Sequence, residues 1–285
     1  MNKKSKYYHL KNEIKQAMWK VFCKHEKELL KNNYELKDSQ KEERCFILGN
    51  GPSLNEYDLS LLKKERVFVV NEFVRYEKLQ DVCPDYYVIA DPKFFDLNEN
   101  DLLDRQFIDK INDLKKINKS IKLFVPTFCE NNIKNYGWIN NIDTYYFQGD
   151  LYCYKGYSEE IRLDKMIPAM QAVVQYAILI AIYMGYKEIY LLGTDQTNII
   201  GNIKAYISES EASEYAFQLS DEQKRWKNSK LTSYTLPETL RGYARIFELY
   251  DELNEYCEKK AVRIFNCSPN TLIQNIPKID YKELF

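Results

Sequence analysis

The sequence predicts an α/β fold built on a mostly parallel sheet with helices on both faces. Three features carry the prediction. Short apolar runs alternate with helical stretches from residue 45 onward. Each run is near-continuously apolar, as in strands buried on both faces. Each breaks abruptly into glycine or a polar residue.

The elements follow in order. CFILGN, from Cys45, reads as a buried strand, and a helix is expected near Leu54–Glu65 after the turn. RVFVVN (Arg66–Asn71) and YYVIAD (Tyr86–Asp91) read as two further strands. Phe94 to Asn118 is charged and helical, IKLFVPT (Ile121–Thr127) is a fourth strand, and TYYFQ (Thr144–Gln148) a short fifth. Pro168 stands at a predicted helix start, and AMQAVVQYAILIAIYM behind it is apolar all round, the mark of a buried helix. Gly185 stops it, and EIYLLGTD (Glu188–Asp195) follows as a central strand. Residues 196–235 are polar and poorly periodic, which predicts a lid excursion with a short helix around Glu211–Leu219. Thr235-Leu236-Pro237-Glu238 forms a capping box. It opens a helix with Leu240, Tyr243, Phe247, Tyr250, Leu253 and Cys257 on one face. VRIFNCS (Val262–Ser268) is the last strand.

Residues 1–44 differ in composition and form a predicted helical appendage to the main domain, residues 45–285. Through Lys31 they hold nine lysines against three glutamates. Tyr7, Leu10, Ile14, Met18, Val21 and Phe22, then Leu29, recur at helical spacing. Such a basic amphipathic helix packs its stripe on the main domain or a second subunit, or lays it on anionic lipid.

Composition narrows the function classes. A net charge of −1 gives no argument for nucleic-acid binding. Seven scattered cysteines with no C-x-x-C suggest neither a disulfide framework nor a zinc site, so a reducing compartment is expected. The longest apolar run, Ala177–Met184, is too short to span a bilayer, and the N-terminus lacks a signal-peptide core. A cytoplasmic protein is expected, at the inner face of the membrane if the basic helix docks there. Both histidines, His9 and His25, lie in the appendage, so no histidine-based triad or metal cluster is expected in the main domain. No D-x-D pair occurs either. No metal ligand and no cofactor are assigned.

In parallel sheets, ligands bind at the carboxyl ends of the strands near a topological switch point. The polar caps at those ends are Gly49-Asn50-Gly51, Asn71, Asp91, Gly193-Thr194-Asp195 and Asn266-Cys267-Ser268. Together they offer amides, carboxylates and backbone N–H groups for a base, a ribose and a phosphate. The first turn lacks the lysine of a P-loop and the third glycine of a dinucleotide fingerprint. It reads equally as a tight strand-to-helix turn capped by Ser53 or Asn55.

FILGNGPSL, VVNEF, YYVIADPKFF, AIYMGYKEIYLLGTD and IFNCSPNTL, in this order, resemble the bacterial lipooligosaccharide sialyltransferases. They are equally similar to the MptE-like family once called domain of unknown function 115. That family takes in motility accessory factor glycosyltransferases and an archaeal pterin diphosphokinase. The resemblance runs from about Cys45 to the C-terminus. It implies a Rossmann-like sheet and a metal-independent glycosyltransferase that binds a nucleotide-sugar, CMP-linked. The acceptor is then a cell-surface glycan or a lipid-linked precursor, and a homo-oligomer is left open as a further partner. By motif, Gly49, Asn50, Gly51 and Ser53 approach the phosphate and ribose, and Asn71 the nucleotide or the sugar. Asp91 stands where the sialyltransferases carry asparagine. Thr194 and Asp195 lie in the G-x-D strand end, and Ser268 to Asn270 in the segment that closes the pocket. The interval Thr232–Arg241 lacks the histidine expected there as general base. Asp195 is left as the candidate base, with Tyr206 and Tyr234 supporting the departing phosphate. Two other readings stay open: a Mg²⁺-dependent diphosphokinase of the pterin type using Asp91 and Asp195, and a non-catalytic scaffold of a polysaccharide assembly complex.

Overall fold

The computed structural model describes residues 3–41, 43–208, 214–225 and 234–285. Eight strands form one sheet: β1 (Arg44–Leu48), β2 (Arg66–Val70), β3 (Tyr86–Val88), β4 (Lys122–Pro126), β5 (Asp143–Leu151), β6 (Met166–Pro168), β7 (Glu188–Leu192) and β8 (Arg263–Asn266). Their order is β6-β5-β4-β3-β2-β1-β7-β8, and every pair is parallel. From β1 the chain builds outward to β6, then returns to place β7 on the other side of β1. The strand order therefore reverses between β1 and β7, which is the switch point of the sheet.

Alternate residues of each strand feed two cores. Phe46, Leu48, Val67, Val69, Leu123 and Val125 belong to one face, and Cys45, Ile47, Phe68, Val70, Val88 and Phe124 to the other. Both faces exclude water, which is why the strands read as continuous apolar runs rather than as an alternating pattern.

The helices used below are α1 (Lys3–Phe22), α2 (Lys24–Lys31), α3 (Leu102–Asn112), α4 (Val173–Met184), α5 (Asn198–Lys204) and α6 (Leu236–Lys259). α4 is the predicted buried helix, with Ala177 to Ala181 buried without a break. Gly185 ends it at φ +100, in the left-handed region. The Thr235 N–H and hydroxyl both donate to Glu238 at the start of α6, as the capping box predicts.

Several predicted elements differ. Pro168 ends a strand instead of starting a helix, because three residues of β6 pair with β5 across an irregular register. α4 begins five residues later, where Gln175 Oε1 accepts from the Gln171 and Ala172 N–H groups. The helix expected at Leu54–Glu65 is two 3-10 segments, Pro52–Glu56 and Leu59–Lys64. The long helix expected over Phe94–Asn118 is broken into Pro92–Phe95, α3 and Leu114–Ile117. Asp101 caps α3 by accepting from the Leu103 and Asp104 N–H groups. Of the predicted lid helix, residues 211–213 lie outside the described residues and 214–219 are not helical.

The compositional boundary at residue 44 is not a packing boundary. Trp19, Leu30 and Leu36 are buried among residues of the sheet cores. Asn33 is fully buried and donates to the Tyr146 carbonyl of β5 at 2.6 Å and the Leu163 carbonyl at 2.7 Å. α1 crosses a loop leaving β5, but its predicted apolar stripe does not make the contact. Ser5, Asn12 and Trp19 are its buried residues. Tyr7, Leu10, Ile14, Met18, Val21 and Phe22 are all more than half exposed. No helix among the described residues is long and apolar enough to cross a membrane.

Leu30→Ala tests the shared core. Truncating a fully buried leucine should cost about 2–5 kcal/mol in urea unfolding followed by circular dichroism. A loss near zero would mean that the N-terminal helices fold apart from the sheet.

Candidate functional site

The β1 turn sits where the fold needs its closest approach. Gly49 N donates to the Leu192 carbonyl and Gly51 N to the Gly193 carbonyl, both at 2.8 Å. Gly193 itself has φ +59, a backbone that disfavours any side chain. A Cβ on Gly51 would lie 2.7 Å from both the Gly193 carbonyl oxygen and the Asp195 Cγ. The glycines of FILGNGPSL are therefore required first by the neighbouring β7 turn.

Asp195 locks the two turns together. It is buried, its Oδ2 accepts from the Ser53 N–H at 2.9 Å, and its Oδ1 accepts from the Ser53 hydroxyl. Ser268, fully buried, accepts at Oγ from the Thr194 N–H at 2.9 Å. Thr271 donates its hydroxyl to the Thr194 carbonyl at 2.9 Å, so the β7 turn is held from the β8 side as well.

Next to these turns lies a cavity of about 590 Å³, within the size range of ligand sites. Gly49, Asn50, Gly51, Asn71, Asp91, Thr194 and Asp195 all line it. Four of the five predicted caps thus come to one place, while the β8 cap, Asn266-Cys267-Ser268, does not line the cavity. Asn71 adopts φ +45, a region asparagine tolerates better than most residues. Its Oδ1 accepts from the Ala90 N–H at 3.1 Å, binding the end of β2 to the end of β3. Asn50 Nδ2 donates to the Val70 carbonyl at 3.1 Å. Its Oδ1 is buried and has no hydrogen-bond partner, a costly state for an acceptor unless a ligand fills it.

The charge on Asp91 is paired. Lys93 Nζ stands 3.0 Å from Asp91 Oδ2, and the Lys93 N–H donates to Oδ1. Burial alone would pull the Lys93 ammonium down, but Asp91 and Glu72 outweigh it and hold its pKa above the ordinary lysine value. Among the described lining residues the third acid is Glu214, and none is a lysine or arginine.

Other sequence-predicted residues lie elsewhere. Ser268 and Asn270 do not line the cavity: Ser268 braces Thr194 from behind, and Asn270 is exposed. Nor do Tyr206 and Tyr234 line it. Tyr206 Oη donates to the Tyr234 carbonyl at 2.9 Å and shares a 2.6 Å hydrogen bond with Thr239 Oγ1, while the Tyr234 side chain is exposed. This ties the lid to the first turn of α6 and uses the hydroxyl away from the cavity. Asp195 lines the cavity, yet both its oxygens serve Ser53, which makes it a positioning residue for the β1 turn and not an open base. Ser53 acts from behind the turn in the same contact.

The structure adds residues that sequence reading missed. Gln196, Thr197 and Asn198 continue from the β7 end into the cavity wall, with Asn198 Nδ2 donating to Tyr243 Oη at 3.1 Å. Their position just past a strand end was a usable signal. Gln171 and Tyr176 come from the β6–α4 region, for which a three-residue strand left no pattern. From the lid, Glu214 and Tyr215 reach the cavity because Ala216 is clipped to the β1 turn. Its N–H donates to the Asn50 carbonyl, and its carbonyl accepts from Asn55 Nδ2, each at 2.9 Å.

With this geometry, comparison with known proteins is informative. Residues 20–200, well over half of the chain, match the family model described as 6-hydroxymethylpterin diphosphokinase MptE-like. The chain belongs to the MptE-like family. The matched region starts in the last turn of α1, so α2 falls within it and most of α1 does not. No curated protein matches the chain. Among solved structures, this MptE-like chain is similar to the sialyltransferase CstII from Campylobacter jejuni. In complex with the substrate analogue CMP-3FNeuAc, that structure is 19% identical, the match covers 83% of this chain and 84% of its own, and the TM-score is 0.42. In complex with cytidine-5'-monophosphate, the figures are 18%, 82%, 84% and 0.40.

Gly51→Ala tests the contact between the turns. The added methyl must displace Gly193 or Asp195, at a cost of about 1–3 kcal/mol. Thermal or urea unfolding reads it directly, and unchanged stability would mean that the turns are not in contact.

Proposed function

We propose that this protein is a glycosyltransferase that moves a sugar from a nucleotide donor, of the CMP-linked kind, onto a cell-surface glycan. The observation that carries the reading is the cavity at the switch point, walled by amides and turns from four strands, among them Asn50, whose Oδ1 is buried without a hydrogen-bond partner. A CMP-sugar bears one phosphodiester charge, which backbone N–H groups and amides can hold without a cation. A base amine or ribose hydroxyl supplies the donor that Asn50 Oδ1 lacks.

Transfer forms a bond from the acceptor hydroxyl oxygen to the anomeric carbon and breaks the bond from that carbon to the phosphate oxygen. CMP leaves with the electron pair, and the hydroxyl proton passes to a base. Asp195 is committed to Ser53 and Asp91 is paired with Lys93, so the reading assigns the proton to Glu214, on the lid side of the cavity. Asp195 contributes by keeping the β1 turn in place against the donor. Because the lid segment 214–217 is clipped to Asn50 and Asn55, donor binding and placement of Glu214 are coupled through the same turn.

The family description favours a second reading, diphosphoryl transfer from ATP. That chemistry uses divalent cations to neutralise the phosphates. The donor set does not fit it well: among the described residues no group of three or more metal-ligating side chains occurs, and the hydrogen bonds above already engage Asp91 and Asp195.

Isothermal titration separates the readings. CMP should bind wild-type protein equally with and without EDTA, and Asn50→Ala should weaken binding roughly fivefold, as expected for one lost hydrogen bond of about 1 kcal/mol. Failure of every cytidine nucleotide to bind, with Mg²⁺-dependent binding of ATP, would replace the first reading with the second. In turnover assays Glu214→Gln should lower kcat by about 10²–10⁴-fold while CMP affinity is kept. An unchanged kcat would remove Glu214 as the base.

A further inference from the structure

α1 is docked by the wrong face for an ordinary amphipathic helix. Two residues are about 200° apart on a helix, so the heptad Ser5, Asn12, Trp19 lies nearly opposite the heptad Tyr7, Ile14, Val21. The first set is buried against the protein and the second is exposed. The docking contacts are polar and specific. Asn12 Nδ2 donates to the Tyr152 carbonyl at 2.9 Å, and Asn12 Oδ1 accepts from the Tyr152 N–H at 2.8 Å. Ser5 Oγ donates to the Lys155 carbonyl at 3.0 Å, and Lys15 Nζ pairs with Asp150 at 2.9 Å. These bonds fix the rotation of the helix, so the outward turn of the apolar stripe is part of the fold.

From this orientation we infer that α1 is a membrane-docking helix, which lays Tyr7, Leu10, Ile14, Met18, Val21 and Phe22 on a bilayer of anionic phospholipid. Charge selects the occupant. α1 carries six lysines against the single Glu13. Lys3, Lys4 and Lys6 are exposed along and beside the stripe, where a bilayer would place phosphate headgroups. A second copy of α1 laid on the same stripe would bring lysine against lysine with one glutamate to offset them, which opposes self-association. The stripe runs along a 20-residue helix, about 30 Å long, parallel to the surface it would cover. α1 docks on residues 150–155, which leave the carboxyl end of β5. The cavity also lies at the carboxyl ends of the strands, further along the sheet between β1 and β7. The inference does not rest on which reaction the cavity performs.

The test is co-sedimentation of the full-length protein with phosphatidylcholine vesicles, with and without phosphatidylglycerol. Wild-type protein should bind the phosphatidylglycerol vesicles and be released by high salt. The double variant Leu10→Glu/Met18→Glu should lose binding at least tenfold while its unfolding temperature is unchanged, because both side chains are exposed. Lys4→Glu/Lys6→Glu should lose it to a similar degree and lower the salt dependence. No binding to either vesicle, or equal binding to both with no effect of the lysine variant, overturns the inference. So does a wild-type dimer in sedimentation velocity that Leu10→Glu/Met18→Glu converts to monomer, since the occupant of the stripe would then be a second copy.

Discussion

The clamp between Asp195 and Ser53 is the contact on which the rest of the site depends. It ties the turn after β1 to the turn after β7, the two neighbouring strands between which the strand order reverses. In an open parallel sheet the crevice forms at that reversal, because the connections leave it in opposite directions. The crevice keeps a defined shape only if its two lips are joined. Glycine at positions 49, 51 and 193 lets the lips meet, and a buried carboxylate with two donors holds them. A charged group taken out of water is tolerated there because both its oxygens are hydrogen-bonded.

Everything functional is then hung from this joint. Asn50 reaches across to Val70, and Asn71 reaches on to Ala90, so the ends of β1, β2 and β3 form one chain of hydrogen bonds along the cavity wall. The lid residue Ala216 closes on the same turn. From the far side, Ser268 and Thr271 brace Thr194 and so stiffen the β7 lip without touching the cavity. Positioning and binding are divided between side chains that look alike in sequence.

Much of this was legible beforehand, for a physical reason. A strand buried on both faces must be apolar throughout, and its end must be polar because it meets solvent or ligand. Seven of the eight strands and five of their caps carry that local signature. The eighth, β6, is three residues long and takes its place from pairing with β5, so nothing local marks it. The roles of Asp195, Ser268, Tyr206 and Tyr234 were not legible either. A motif names which residue stands at a strand end, while its partner lies tens to more than a hundred residues away. Asp195 reads as a base in the sequence and is a clamp in the fold because Ser53 happens to face it.

The sequence by itself determined seven of the eight strands and the helices α4 and α6, that the sheet is parallel and covered on both sides, and that α1 has an apolar stripe. These follow from periodicity and capping, which are properties of neighbouring residues. Only the tertiary structure decided which cap faces the cavity, which carboxylate is already spent on a hydrogen bond, and which face of α1 meets the protein. An apolar stripe predicts burial against something. Paired hydrogen bonds from Asn12 to the Tyr152 backbone turn the stripe away from the described residues of this chain, because a polar contact with two fixed partners specifies orientation and hydrophobic burial does not.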